Sequence, residues 1–192
     1  MSEQSGELCW LVDASVLINL LCMPCPEKVL AALQAPVVAT PMVLGETRRA
    51  PGRGDLAPPA ERARAFVAEV RLTEEELERF GALVSASPPD ALDDGEASVL
   101  AVAASRGWPC LIDERKATRL AAAQRPPVAT LSTVALLRRA AGVTLTEAET
   151  LVCLTDALRD ARMRVAHEHY DWVVERIGAE YLGMFPSLKQ RR

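Results

Sequence analysis

Aromatic residues make up only 4% of this 192-residue chain, with three tryptophans, two tyrosines and three phenylalanines. Its core must therefore be filled by aliphatic side chains and alanine, which the 49% hydrophobic content supplies in quantity. An excess of positive charge is also missing. The formal charge is −4 and the pI about 5.3, the opposite of a protein that holds nucleic acid by bulk electrostatics. A nucleic-acid substrate would need metal ions or local basic clusters to offset the repulsion. No apolar run spans a membrane: the stretch from Leu8 to Met23 is short and interrupted by Asp13 and Asn19. Met1 to Glu7 is polar and has no basic n-region, so no secretory leader is expected. Absent, too, are G-x-G-x-x-G after the first apolar run and G-x-x-x-x-G-K-[ST], so no nucleotide cofactor is expected. No D-x-D follows the first strand, which disfavours a phosphoaspartate phosphatase. The two histidines, His167 and His169, are two residues apart, do not share a helix face and read as surface residues.

Cysteine is present in an odd number: Cys9, Cys22, Cys25, Cys110 and Cys153. Cys9 and Cys110 fall in apolar runs that read as buried strands. The set reads as reduced thiols of a cytoplasmic protein, not a disulfide framework. Cys22-x-x-Cys25 lacks the second pair or nearby histidine of a zinc site.

What the chain does have is an organising stretch, Leu8 to Ser15. An unbroken apolar run ends in Asp13, then a small residue and a hydroxyl, and leads into Val16 to Leu21. Such a run suits a strand covered on both faces, as in a parallel sheet. Asp13 would sit at its carboxyl end, where open α/β sheets place ligands, or would cap the helix that follows. Pro26 to Gln34 reads as a short helix and Val37 to Ala39 as a strand. Thr40-Pro41 opens a helix that carries Glu46 and ends near Arg49. Ala50 to Pro59, rich in Pro and Gly, is a loop. Ala60 onward looks helical, with a short strand expected at Val70 to Leu72.

Thr73 to Glu76 is a capping box before a helical pattern. Leu92 to Glu96 leads into an alanine-rich helix that Gly107 ends. Pro109 to Asp113 repeats the opening pattern of apolar strand and carboxylate. Glu114 to Ala123 is helical, Pro127 to Thr130 a strand, and Leu131 to Ala141 a helix stopped at Gly142. Thr146 to Glu149 is another capping box and starts a helix to about Arg162, and Tyr170 to Ile177 belongs to a last one. Strands alternating with helices imply an α/β fold: a mostly parallel sheet with helices on both faces.

Four acids recur at equivalent places. Asp13 and Asp113 follow buried strands, Glu46 lies in the helix after the second strand, and Glu96 in the first turn of the helix before the Asp113 strand. Strand carboxyl ends share one edge, so Asp13 and Asp113 should face one cleft. Carboxylates gathered there repel one another unless a hard divalent cation such as Mg²⁺ or Mn²⁺ resolves the conflict. Such ions can activate water and stabilise the leaving oxygen in phosphodiester hydrolysis. Each acid also has a structural reading. Asp93 with Glu96 fits a capping box, Asp113 can cap the next helix, and Glu46 can pair with Arg49. Arg48, Arg49 and Arg53, and then Arg115, Lys116 and Arg119, either hold phosphates beside the cleft or face solvent. Trp10 reads as core, and Trp108 and Trp172 as partly buried.

Four segments together resemble the PIN-domain family of metal-dependent ribonucleases, which includes VapC-like toxins. They are Leu11 to Ile18, Thr40 to Glu46, Leu92 to Ala103 and Leu111 to Ala121. The last two are the most specific, with G-E-A before an alanine-rich helix and I-D-E-R-x-A after a strand. The resemblance is close from Leu8 to Gly142 and looser from Thr146 to Gly178. It implies a PIN-like domain over residues 1–142 with four or five strands, a packed helical extension over 143–182 and a flexible basic tail over 183–192. It implies that Asp13, Glu46, Glu96 and Asp113 bind Mg²⁺ or Mn²⁺ and cleave RNA. Many members have Asp where Glu96 stands, so Asp94 competes for the third position, and Glu114 is a fifth acid or a solvent-facing one. Ser15, Arg49, Arg115, Lys116 and Thr130 are the expected substrate contacts. An antitoxin partner and a homodimer also come with the resemblance. Its alternative is a PIN-like module that binds protein or RNA with weak or no catalysis.

Overall fold

The apolar run ending at Asp13 folds as a three-residue strand, β1 (Trp10–Val12), with Leu11 and Val12 fully buried. The computed structural model describes residues 8–50 and 57–188. Asp13 turns the chain into α1 (Ala14–Cys22), most of whose residues are buried. Proline opens α2 (Pro26–Ala31), where its missing N–H costs nothing. That helix stops before the expected end, and Gln34 takes a left-handed φ of 56° on the way to β2 (Val37–Ala39). Thr40 caps α3 (Pro41–Glu46) by accepting from the Val43 N–H, and a 3₁₀ turn, Thr47–Arg49, follows. Next come α4 (Pro59–Ala63) and β3 (Ala68–Glu69).

The third strand thus lies two residues ahead of its expected place at Val70 to Leu72. Its register is set by backbone pairing to β2, Val38 with Ala68 and Ala39 with Glu69, and both its residues are exposed at the sheet edge. Apolar content is no guide to such a strand.

The second half contains α5 (Glu74–Val84), α6 (Asp94–Arg106), β4 (Cys110–Leu111), α7 (Arg115–Ala123), β5 (Thr130–Leu131) and α8 (Thr133–Ala140). Capping boxes at Thr73 and Asp93 start α5 and α6, and Gly107, at a left-handed φ of 68°, ends α6. The helices α9 (Glu147–Arg159) and α10 (Tyr170–Ile177) complete the regular structure. Beyond α10, Phe185 and Leu188 are buried against the core. Lys189 to Arg192 lie outside the described residues.

All five strands are parallel, in the order β3-β2-β1-β4-β5. The chain leaves β1 in one direction for β2 and β3, then returns to add β4 and β5 on the other side. Right-handed crossovers therefore put helices on both faces. Helix α1 packs against α3, α4 and α9, while α6 packs across β1 and β4 and against α5 and α7. The reversal between β1 and β4 leaves a crevice at their carboxyl ends, the place where open α/β sheets bind ligands. Asp13 and Asp113 follow those two strands. Among the described residues, no helix is long and apolar enough to cross a membrane.

Candidate functional site

Asp13 is 3% exposed, and its N–H donates to the Leu111 carbonyl at 2.9 Å, which fixes it to β4. Its Oδ2 accepts from the Ser15 N–H at 3.2 Å and the Ser15 hydroxyl at 2.6 Å. That is the capping role, and it occupies one oxygen. The other, Oδ1, is buried and has no hydrogen-bond partner.

Asp113 does not cap α7, whose N-cap residue is Glu114. It reaches across to the start of α8. The Thr133 N–H donates to Oδ1 at 2.7 Å, the Thr133 hydroxyl to Oδ2 at 2.6 Å, and Asn19 Nδ2 to Oδ2 at 2.8 Å. Asn19 also donates to the Thr133 hydroxyl oxygen at 3.1 Å. Two helices, α1 and α8, thus meet at one carboxylate.

Glu96 fulfils the capping-box reading. Its N–H donates to Asp93 Oδ1 at 2.9 Å, and the Asp93 N–H donates back to Oε2 at 3.4 Å. The side chain is buried, and Lys116 Nζ stands 3.6 Å from Oε2 while donating to the Ala91 carbonyl at 2.8 Å. Glu46, at the end of α3, accepts from the Gly95 N–H at 3.0 Å, at the positive end of α6. A Cβ at Gly95 would lie 2.6 Å from Glu46 Oε1, so only glycine admits this approach. Thr40 and Ser98 share a hydrogen bond of 2.7 Å, and Ser98 donates to the Gly95 carbonyl at 2.8 Å, so the start of α3 is tied to the first turn of α6.

The acids sense one another. Burial raises the Asp13 carboxyl above its ordinary range against the Ser15 and Ala14 donors, and the Asp93 charge adds to it. Burial pushes Asp113 up to about 6; Thr133 and Asn19 work against this and Asp13 with it. Burial likewise pushes Glu96 up to about 7, helped by Asp93 and Asp13 and opposed by Lys116. Asp13, Asp93, Glu96 and Asp113 therefore share one electrostatic neighbourhood, with Asp13 common to all of it. Glu46 adjoins it through the backbone of Gly95.

Whether a cation suits these residues depends on donors and charge. Among the described residues, no three carboxylate, imidazole or thiol side chains stand close enough to enclose an ion as placed. Mg²⁺, however, is commonly held by one or two carboxylates with water in its remaining positions. The unpartnered Asp13 Oδ1 is a hard oxygen donor in a crevice that already carries excess negative charge, and such a donor set fits that kind of ion.

The remaining expected residues divide. Asp94 is exposed on α6, so Glu96 is the buried acid of the pair. Glu114 turns away toward Arg164, 3.8 Å distant. Ser15 touches the site through Asp13. Thr130 lies half-buried in β5, paired in register with Cys110. Lys116 is at the site, Arg115 is exposed at the start of the same helix, and Arg119 pairs with Asp90 at 2.6 Å. Arg48 is exposed; the Arg49 side chain and Arg53 lie outside the described residues.

Reading the sequence missed Asn19 and Thr133 as partners of Asp113, Gly95 as the seat of Glu46, and Asp93 as a charge felt by both Asp13 and Glu96. A buried-helix asparagine among leucines, Ile18-Asn19-Leu20, was a usable signal for the first, since such a group needs a partner.

No curated protein and no solved structure matches this chain. A family model described as a PIN domain matches residues 9–179. The match takes in all five strands, every acid of the crevice and the helices that follow Gly142. With that span, the chain belongs to the PIN-domain family.

Proposed function

We propose that this protein is an endoribonuclease dependent on Mg²⁺ or Mn²⁺. PIN domains are in general nucleases, and the family points to a nucleic-acid substrate. The observation that supports the metal-dependent reading is the buried, unpartnered Asp13 Oδ1 amid acids whose carboxyls are raised by burial and by one another. Asp13, Glu46, Glu96 and Asp113 hold the cation. When bound, it supplies activation of water and stabilisation of charge on the leaving oxygen.

The chain's own groups do the rest. Ser15 fixes the Asp13 carboxylate through Oδ2 and leaves Oδ1 without a hydrogen-bond partner, so that Oδ1 would be the oxygen to hold the cation. Asn19 and Thr133 orient Asp113. Lys116 leaves Glu96 for a substrate phosphate, with Arg115, Arg49 and the Thr130 hydroxyl as further contacts. In an acidic protein these local cations are what admits RNA to the crevice.

The motifs around Glu96 and Asp113 support assignment to the toxin half of a cytoplasmic toxin–antitoxin pair, with an antitoxin as protein partner and a homodimer as the assembly. Expression of the wild type should arrest growth and that of Asp13→Asn should not; equal growth would contradict the toxin role. RNA cleavage with and without EDTA tests the chemistry. Wild type should cleave only with the divalent ion, and Asp13→Asn should lose cleavage with an unchanged circular-dichroism spectrum. Undiminished cleavage by the variant, or by wild type in EDTA, would overturn the reading.

A second reading is a PIN module that binds RNA or protein with weak or no catalysis. It is favoured by the lack, among the described residues, of a ready three-ligand group. RNA binding with no calorimetric sign of divalent-ion binding would decide for it.

A further inference from the structure

Two sulfur atoms outside the acidic cluster lie against each other. Cys25 Sγ and Cys153 Sγ are 3.7 Å apart, although 128 residues separate them in sequence. Cys25 is half-buried at the N-cap of α2, where it makes no side-chain capping bond, and Cys153 is fully buried in the middle of α9. The same seam is clamped one turn further out. Lys28, three residues after Cys25, pairs at 2.5 Å with Glu149, four residues before Cys153. Both thiols therefore sit on elements held in register by an independent contact. A disulfide has an S–S length of about 2.05 Å, so the sulfurs must approach by only about 1.7 Å from their present separation.

We propose that Cys25 and Cys153 form a site of reversible oxidation, at which a hydroperoxide closes an intramolecular disulfide that locks α9 onto the start of α2. The pair is reduced in the structure, as expected of a cytoplasmic chain, and the link appears on exposure to oxidant. Cys25 is the accessible partner and meets the oxidant first. Burial, with the neighbouring Cys25 sulfur, pushes the Cys153 thiol up to about 12, so Cys153 stays protonated and unreactive until its partner is activated.

The steps balance. The Cys25 sulfur attacks the distal oxygen of the hydroperoxide, the O–O bond breaks, and an alcohol (water, for hydrogen peroxide) leaves with the thiol proton. Cys25 is then a sulfenic acid. The Cys153 sulfur attacks the Cys25 sulfur, the S–O bond breaks, and hydroxide departs with the Cys153 proton as water. Two thiols have lost two protons and two electrons, and the hydroperoxide has been reduced. The bond closes a long loop, which restricts the unfolded chain and raises the unfolding midpoint.

The test treats the full folded protein with hydrogen peroxide, quenches with an alkylating reagent and maps cross-linked peptides with fragmentation. The expected result is an intact mass lower by two hydrogens, a Cys25–Cys153 cross-link and an unfolding midpoint higher by about 5 °C or more. Dithiothreitol should reverse all three. Cys25→Ser should show neither cross-link nor midpoint rise, and Cys153→Ser should behave alike. Should Cys153→Ser fail to fold, the half-buried Cys25→Ser keeps the test decisive. A Cys22–Cys25 link, a bridge between two molecules, sulfinic acid on Cys25 with no cross-link, or a cross-link without a midpoint rise would overturn the proposal. None of these readouts depends on nuclease activity.

Discussion

One oxygen of Asp13 caps α1, and the other is buried without a hydrogen-bond partner. An unsatisfied buried acceptor costs about 1–3 kcal/mol, so this oxygen works against stability. Asp113 shows the opposite arrangement, with donors from Thr133 and Asn19 on both its oxygens. Thr133→Val keeps the shape and removes the hydroxyl, and should lower stability by about 1–3 kcal/mol in urea denaturation of chelated protein. An unchanged midpoint would remove Thr133 from the account. The raised carboxyls give a pH dependence with a fixed sign. In the folded protein Glu96 holds its proton up to about 7, against an ordinary value of 4.5. Its contribution to stability is complete below the ordinary value and is lost as pH rises through the folded one. In EDTA, wild type should lose more stability between about pH 4.5 and about pH 7 than Glu96→Gln does, and parallel losses would contradict the assigned environment. At this scale the positions of three acids were legible, because Asp13 and Asp113 follow strands and Glu96 opens a helix in a readable pattern. Asn19 and Thr133 were not, because their contacts to Asp113 span 94 and 20 residues and exist only once α1 and α8 meet.

Helix α6 does more to build the crevice than its plain alanine-rich sequence suggests. Its first turn carries Glu96, offers the Gly95 N–H to Glu46 and ties through Ser98 to Thr40 at the start of α3. Gly95→Ala isolates this role, since its Cβ would meet Glu46 Oε1 at 2.6 Å. Alanine is the better helix former by about 1 kcal/mol, so the thermal midpoint should hold or rise. Metal-dependent RNA cleavage should fall about tenfold or more as the Glu46 carboxylate is displaced. Loss of stability with full cleavage would contradict this. Helix starts were the most legible elements, with the boxes at Thr73, Asp93 and Thr146 all formed. Their chemistry is local, so one sequence window contains it. The edge strand β3 was misplaced by two residues because pairing with β2, not its own side chains, defines it.

In the whole molecule, five short parallel strands in the order β3-β2-β1-β4-β5 place the reversal of the chain between β1 and β4. The two aspartates that follow those strands are thereby neighbours in space. The alternation of strands and helices made this α/β architecture readable. The contacts of the last helices were not, because α9 packs on α1 and α8 through side chains distant in sequence. Under the proposed function, the acids gathered at the crevice hold a cation. Isothermal titration of Mg²⁺, and separately Mn²⁺, into chelator-treated protein near neutral pH measures this binding directly. Saturable binding by wild type is expected, weakened by about tenfold or more in Asp13→Asn. No saturable binding by wild type, or equal binding by both proteins, would contradict it.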